Sequence, residues 1–251
     1  MRVVALTGGH SFDRESFKRF LEVLPCEVVW IQHPDAIKFV CDGGLDGFDV
    51  TLHYDMPGVR PPTPAPVEFA DRIRERTAAG RGFVILHHAI ASWPLWPDWA
   101  EIVGGQYFYA PGLLRGREWP DSGYRMDVSE HLRCVDPDHP VLNGLEKGLD
   151  LVDETYLCPI FEDEVSPLLR TDAPIDDSVH FSTEQGMQGR MNSRDSWVHP
   201  SGSTLAAWTR TVGRSRVVYI QPGDAARTLD DPGYRRLVGN AISWTGETFG
   251  S

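Results

Sequence analysis

Several histidines and carboxylates fall where apolar runs of the chain end. His10 follows Val3 to Leu6 and a Thr7-Gly8-Gly9 turn; His53 closes the run FDVTLH, with Asp55 two residues on; His87-His88 closes Phe83 to Leu86. A histidine in such a place can act as a general acid or base near neutral pH. It can also ligate a metal through a neutral ring nitrogen. Glu154 and Asp224, which ends QPGD after another apolar run, are the acidic partners for either chemistry, and with Asp55 they could complete a divalent metal's ligand set. No HExxH or other compact metal signature is present, so the sequence leaves the metal open. Adjacent residues of a strand face opposite ways, so His87 and His88 cannot both face one cleft while the strand continues. The expectation is that His87 or His88 moves a proton, with Glu154 or Asp224 as its partner. The alternative for each histidine is a hydrogen-bonded packing residue. A cap is the alternative for Asp153-Glu154.

A second set of residues suits a polyol ligand: His10, His53, Asp55, Tyr156 and Trp93, the first of three tryptophans in seven residues. Aromatic rings offer a broad apolar face with a polar edge. Residues 172–203, rich in Gly, Ser, Asp and Asn, add His180, Arg190, Trp197 and His199. A loop that long is usually functional. Helix packing for the tryptophans and a solvated loop are the competing readings. Gly8-Gly9 belongs to no phosphate-binding pattern and reads as a tight turn.

These residues need a scaffold that gathers strand ends. Residues 2–7, 27–32, 48–53, 83–87 and 216–220 read as buried strands, short and rich in β-branched residues. Helices are expected after Asp13, over 67–79 with Gly80 as C-cap, from Pro97 to Val103, and over 234–244. That alternation predicts one mostly parallel sheet with helices on both faces, and in such sheets ligands collect beyond the carboxyl ends of the strands. Further strands are expected at 124–128, 132–135, 165–171 and 204–209. With no linker or repeat in sight, residues 1–251 read as a single domain.

Composition narrows the partners. Lys and Arg number 24 against 36 Asp and Glu, a net charge of −12, which argues against nucleic acid or an anionic membrane. A small neutral molecule such as a sugar fits better. Cys26, Cys41, Cys134 and Cys158 are scattered, without metal-like spacing, as expected of reduced cytoplasmic thiols. None follows the central strand, so none is expected to be catalytic. The first nine residues read as a strand, not a signal peptide, and no apolar run approaches a membrane span. A homo-oligomer is compatible with all of this.

Five segments carry a resemblance when taken in order: TGGHSFDRESF, GFVILHHAIASWPLW with Gly104-Gly105 after it, DPDHPVLNGL, DETY and VVYIQPGD. Together they resemble the ThuA-like, or trehalose-utilisation, family. The resemblance implies a class I glutamine-amidotransferase-like fold, which is a flavodoxin-like three-layer α/β sandwich. It also implies a role in disaccharide catabolism through 3-keto-sugar intermediates. There are two departures. Amidotransferases of this fold carry a nucleophilic Cys at the turn after the central strand, where this chain has His87-His88-Ala89, so thioester chemistry on glutamine is not expected. Many family members also have His where this chain has Asp224. The leading expectation is therefore an enzyme acting on a disaccharide such as trehalose, or its 3-keto form, by isomerisation, hydrolysis or elimination. The competing ones are a non-catalytic sugar-binding or assembly protein and a metal-dependent hydrolase.

Overall fold

The computed structural model describes residues 1–247. Its strands are β1 (Arg2–Gly8), β2 (Glu27–Gln32), β3 (Val50–Asp55), β4 (Gly82–Leu86), β5 (Gly112–Leu114), β6 (Arg117–Trp119), β7 (Gly123–Cys134), β8 (Leu149–Leu157), β9 (Ser166–Thr171), β10 (Phe181–Ser182), β11 (Leu205–Val212) and β12 (Ser215–Ile220). The helices are α1 (Arg14–Glu22), α2 (Asp35–Cys41), α3 (Val67–Ala79), α4 (Pro97–Val103), α5 (Thr183–Met187), α6 (Ala226–Asp230) and α7 (Pro232–Gly246). No helix among the described residues is long and apolar enough to cross a membrane.

Ten strands form one sheet. Five neighbours pair in parallel in the order β2-β1-β3-β4-β12, the 2-1-3-4-5 order of flavodoxin-like sheets. Beyond β12 the sheet continues antiparallel through β11, β9 and β7, and β7 also pairs β8 and β10. Strand alternation sorts the parallel half into two faces. Val3, Ala5, Leu52, Val84 and Val218 pack with Phe17 and Phe20 of α1 and Leu237 and Ile242 of α7. Val4, Leu6, Phe83, Ile85 and Tyr219 pack with Val40 of α2, Phe69 and Ile73 of α3, and Trp99 of α4. The result is a mixed α/β three-layer arrangement around a large central sheet.

The five long apolar runs are the parallel strands, as the sequence led us to expect. β3, however, spans 50–55 instead of 48–53. Phe48 closes a 3-10 turn over Gly44–Gly47 and packs into the core, and Val50 is the first residue to pair with β1. His53 therefore lies within the strand, not at its end. The two strands expected at 124–128 and 132–135 are one strand, β7. A bulge lies between Arg125 and Val128, where Asp127 has φ of 54°. β8 and α2 were not anticipated.

Candidate active site

The parallel strands deliver three turns to one edge of the sheet. After β1, Gly9 takes φ of 84°, and a Cβ there would lie 2.3 Å from the Met56 carbonyl oxygen, so only glycine fits. His10 follows. After β4 the chain enters a 3-10 turn at His87, itself at φ of 48°, a conformation uncommon for a non-glycine residue. After β12 the segment Gln221 to Asp224 closes the group.

His87 is fully buried and tightly oriented. Its Nδ1 donates to the Gln221 carbonyl at 2.7 Å, which fixes the tautomer and leaves Nε2 to Glu154 and Tyr156, residues that line the cleft. There Nε2 meets the Tyr156 hydroxyl at 2.7 Å, a Glu154 carboxylate oxygen at 3.1 Å and Asp224 at 3.7 Å. Burial works to lower the His87 pKa, but the hydrogen bond and charge of Glu154, with Asp224 and Asp153 behind it, outweigh it and lift the pKa to about 9. The Glu154 pKa also rises, because burial exceeds what the bond to His87 gives back. Both groups hold protons more tightly than free side chains do, so near neutral pH the pair retains at least one.

Glu154 and Tyr156 arrive from β8, in the antiparallel half. They are two residues apart and so share a face, while Asp153 points the other way. Asp153 is fully buried and accepts from the backbone N–H groups of Gly223 (2.8 Å), Asp224 (3.1 Å), Ala225 (3.2 Å) and Glu154 (2.7 Å). Gln221 adds a bond from Nε2 to the Glu154 carbonyl, 2.7 Å. The cap read for Asp153-Glu154 thus belongs to Asp153, and its neighbour reaches the site.

His88 sits behind His87. Its Nε2 donates to the Tyr54 carbonyl at 3.3 Å, its ring stacks on His10 at 4.6 Å, and burial holds its pKa well below the usual value. His10 is partly exposed and neutral at pH 7, its pKa lowered by burial and then by His87. The cavity in front measures about 180 Å³ and is lined by His10, Glu154, Tyr156, Tyr107, Tyr109, Tyr124, Thr183 and three methionines, Met126, Met187 and Met191. Tyr156 was expected among the ligand-facing residues; Tyr107, Tyr109, Tyr124 and the methionines were not. The one sequence signal was the cluster Tyr107-Phe108-Tyr109 after Gly104-Gly105.

Other expected site residues lie elsewhere. Asp55 is held between His33 (2.6 Å) and His53 (3.0 Å) inside the protein. Burial would raise its pKa, but the two imidazoles hold it far below the usual carboxylate range. This trio ties β2 to β3, and neither His53 nor Asp55 lines the cleft. Trp93 is buried against Phe69, with φ of 49°, and presents no face to the cavity. His180 is buried between Thr155 and the Asp176 carbonyl, and burial holds its pKa down to about 4. Trp197 donates to Asp121, His199 packs on Trp197 and Trp119, and Arg190 bonds Gln188 at the surface. The long segment does reach the cleft, but through Thr183, Gly186, Met187 and Met191.

Residues 9–245 match the sequence pattern of the family named ThuA, described as trehalose utilisation. The chain belongs to the ThuA family. Its fold is similar to that of a putative ThuA-like protein from Parabacteroides merdae, at 17% identity and a TM-score of 0.70, over 100% of this chain and 92% of that one. A second putative ThuA-like protein, from Bacteroides uniformis, is similar at 15% identity and a TM-score of 0.63, over 97% and 90% of the two chains. PurLQS from Thermotoga maritima is similar at 14% identity and a TM-score of 0.57, over 97% and 98%. No curated protein matches the sequence. These likenesses show the fold. In this ThuA-family protein no cysteine lines the cleft: Cys26, Cys41 and Cys134 are partly exposed, and Cys158 is buried with its thiol pushed up to about 12 by burial.

His87 Nε2, Glu154 and Asp224 could also hold a divalent cation, since their ligand atoms all lie within 4.8 Å of one another. A metal-ligating histidine normally donates its other ring nitrogen to a carbonyl or carboxylate, as His87 Nδ1 does to Gln221.

Proposed function

We propose that this ThuA-family protein is a cytoplasmic enzyme acting on a sugar, a disaccharide such as trehalose or its 3-keto form, by proton transfer at the His87–Glu154 pair. One observation carries the reading. A buried histidine, fixed at Nδ1, shares its free nitrogen with Glu154 and Tyr156 at the back of a cleft lined by hydroxyls. Beside a ketone a sugar C–H is acidic enough to be removed by such a base, and Tyr156 or His10 can hydrogen-bond the oxygen that gains charge. Returning the proton to another carbon gives isomerisation; loss of a β-oxygen substituent gives elimination.

The test is incubation with a panel of disaccharides and their 3-keto forms, read by mass spectrometry, using the parent, His87→Ala and Glu154→Gln. Turnover by the parent that falls about 10²–10⁴-fold in both variants supports the proposal. Sugar binding without turnover in the parent would replace it with a binding protein. The three-ligand geometry favours one second reading, a divalent cation polarising the same oxygen. In that case the purified protein carries metal, and a chelator abolishes turnover.

A further inference from the structure

The cleft in front of His87 shares a wall with a larger cavity of about 350 Å³. Tyr107, Tyr109 and Met187 line both. The two spaces differ in chemistry. The smaller one presents an imidazole, a carboxylate and several hydroxyls. The larger is walled by Val59, Pro62, Pro94, Leu95, Phe108 and Leu113, and its one charged side chain is Arg60. Of ten large apolar side chains exposed among the described residues, five line these two cavities: Leu95, Leu113, Met126, Met187 and Met191. Such clustering around a concave site marks a surface meant to be covered.

We propose that the larger cavity is a subsite for an aromatic aglycone, so that this protein takes aryl glycosides, with the sugar in front of His87 and the aryl group beyond Tyr109. The inference rests on the sugar reading above and narrows it: the ring that reacts stays a sugar, and an aryl group takes the place of the disaccharide's second ring. A second sugar ring here would bury hydroxyls against proline, leucine and phenylalanine with few groups to receive them. An aryl ring suits the same walls, where the flat edges of Pro62 and Pro94 and the rings of Phe108 and Tyr109 offer stacking surfaces. A cavity of about 150 Å³ can hold a benzene ring, so this one has room for a fused bicycle. Arg60, whose Nη1 lies 3.4 Å from the Met187 sulfur, brings a guanidinium to the shared wall. Met187 itself is half exposed and unbranched, and can repack around a ligand that spans both cavities.

The experiment measures binding of methyl glucoside, 2-naphthyl glucoside, trehalose and free 2-naphthol, with the two glucosides and trehalose also in their 3-keto forms. It uses calorimetry on the parent and on Leu95→Asp and Leu113→Asp, both at exposed positions where the fold tolerates a charge. The expected result is that the naphthyl glucoside binds at least tenfold tighter than the methyl one. Both aspartate variants should remove that advantage and leave methyl glucoside affinity unchanged. Equal affinity for the two glucosides, or trehalose binding tighter than the naphthyl glucoside, overturns the subsite while sparing the sugar reading. If naphthol binds and no glycoside does, the sugar reading fails, and the aryl glycoside proposal fails with it.

Discussion

Glu130 offers a test that needs no substrate. It points inward from β7, is buried, and neither carboxylate oxygen has a hydrogen-bond partner; the approach of Thr171 falls short of a formed bond. Burial, with Asp153 and Asp172 adding repulsion, pushes its pKa from 4.5 up to about 7. A carboxyl whose pKa is raised by folding carries no penalty below the unfolded value. Between 4.5 and 7 the penalty grows by about 1.4 kcal/mol per pH unit, and above 7 it is constant. The full span of 2.5 units corresponds to roughly 3 kcal/mol. Glu130→Gln removes the titration. The variant should match the parent near pH 4.5 and exceed it by roughly 3 kcal/mol at pH 8–9, a rise in Tm of about 6–12 °C for a chain of this length. Urea unfolding at a series of pH values measures this directly. A stability difference that stays flat from pH 4.5 to 9, or a variant less stable than the parent at pH 8, would refute the reasoning.

The remaining predictions concern the site. His88→Ala should lower stability by about 1–3 kcal/mol, because the Tyr54 carbonyl loses its donor, yet turnover of the folded variant should stay within severalfold of the parent in a coupled thermal and activity assay. Asp153→Ala orphans four backbone N–H groups and should cost at least about 3 kcal/mol, with Asp153→Asn milder because it keeps an acceptor; a neutral Asp153→Ala in urea unfolding contradicts the assigned role. The raised His87 pKa contributes stability that is fully present below about pH 6.5 and lost as pH rises through about 9. Glu154→Gln should therefore flatten that part of the stability–pH curve, as followed by thermal melts from pH 6 to 10. Replacing Cys26, Cys41, Cys134 or Cys158 singly with Ala should leave sugar turnover unchanged, and loss at any one of them would relocate the chemistry.

The parallel half of the sheet was readable because its strands are unbroken apolar runs, and their ends placed His10, His87 and Asp224 together. β8 was hidden for the opposite reason. Its inward positions run Leu149, Leu151, Asp153, Thr155, Leu157, and the two polar residues interrupt the alternation that marks a strand. Those polar residues face buried backbone and a buried histidine, which no single-chain pattern reveals. The cleft lining was equally hidden, since residues 107–109, 124–126 and 183–191 are far apart in sequence and meet only through tertiary folding. His53 and Asp55 have the right chemistry for a site but spend it on each other and His33, because the strand they belong to begins and ends two residues later than the apolar run alone suggested.

His87 and Glu154 belong to opposite halves of one sheet, joined laterally through β12, β11, β9 and β7. Their 3.1 Å separation is therefore a gauge of how those strands are aligned. The bulge in β7 offsets β8 by its one irregular step, and slippage of β8 by a single residue would swing Glu154 to the far side and bring Asp153 or Thr155 round in its place. The same slip would turn Leu149, Leu151 and Leu157 out of the core, so the packing of β8 and the His87–Glu154 contact depend on one register. Single-residue insertions or deletions within β7 or β8 should thus cost stability and the site geometry together, and neither can be lost alone by that route.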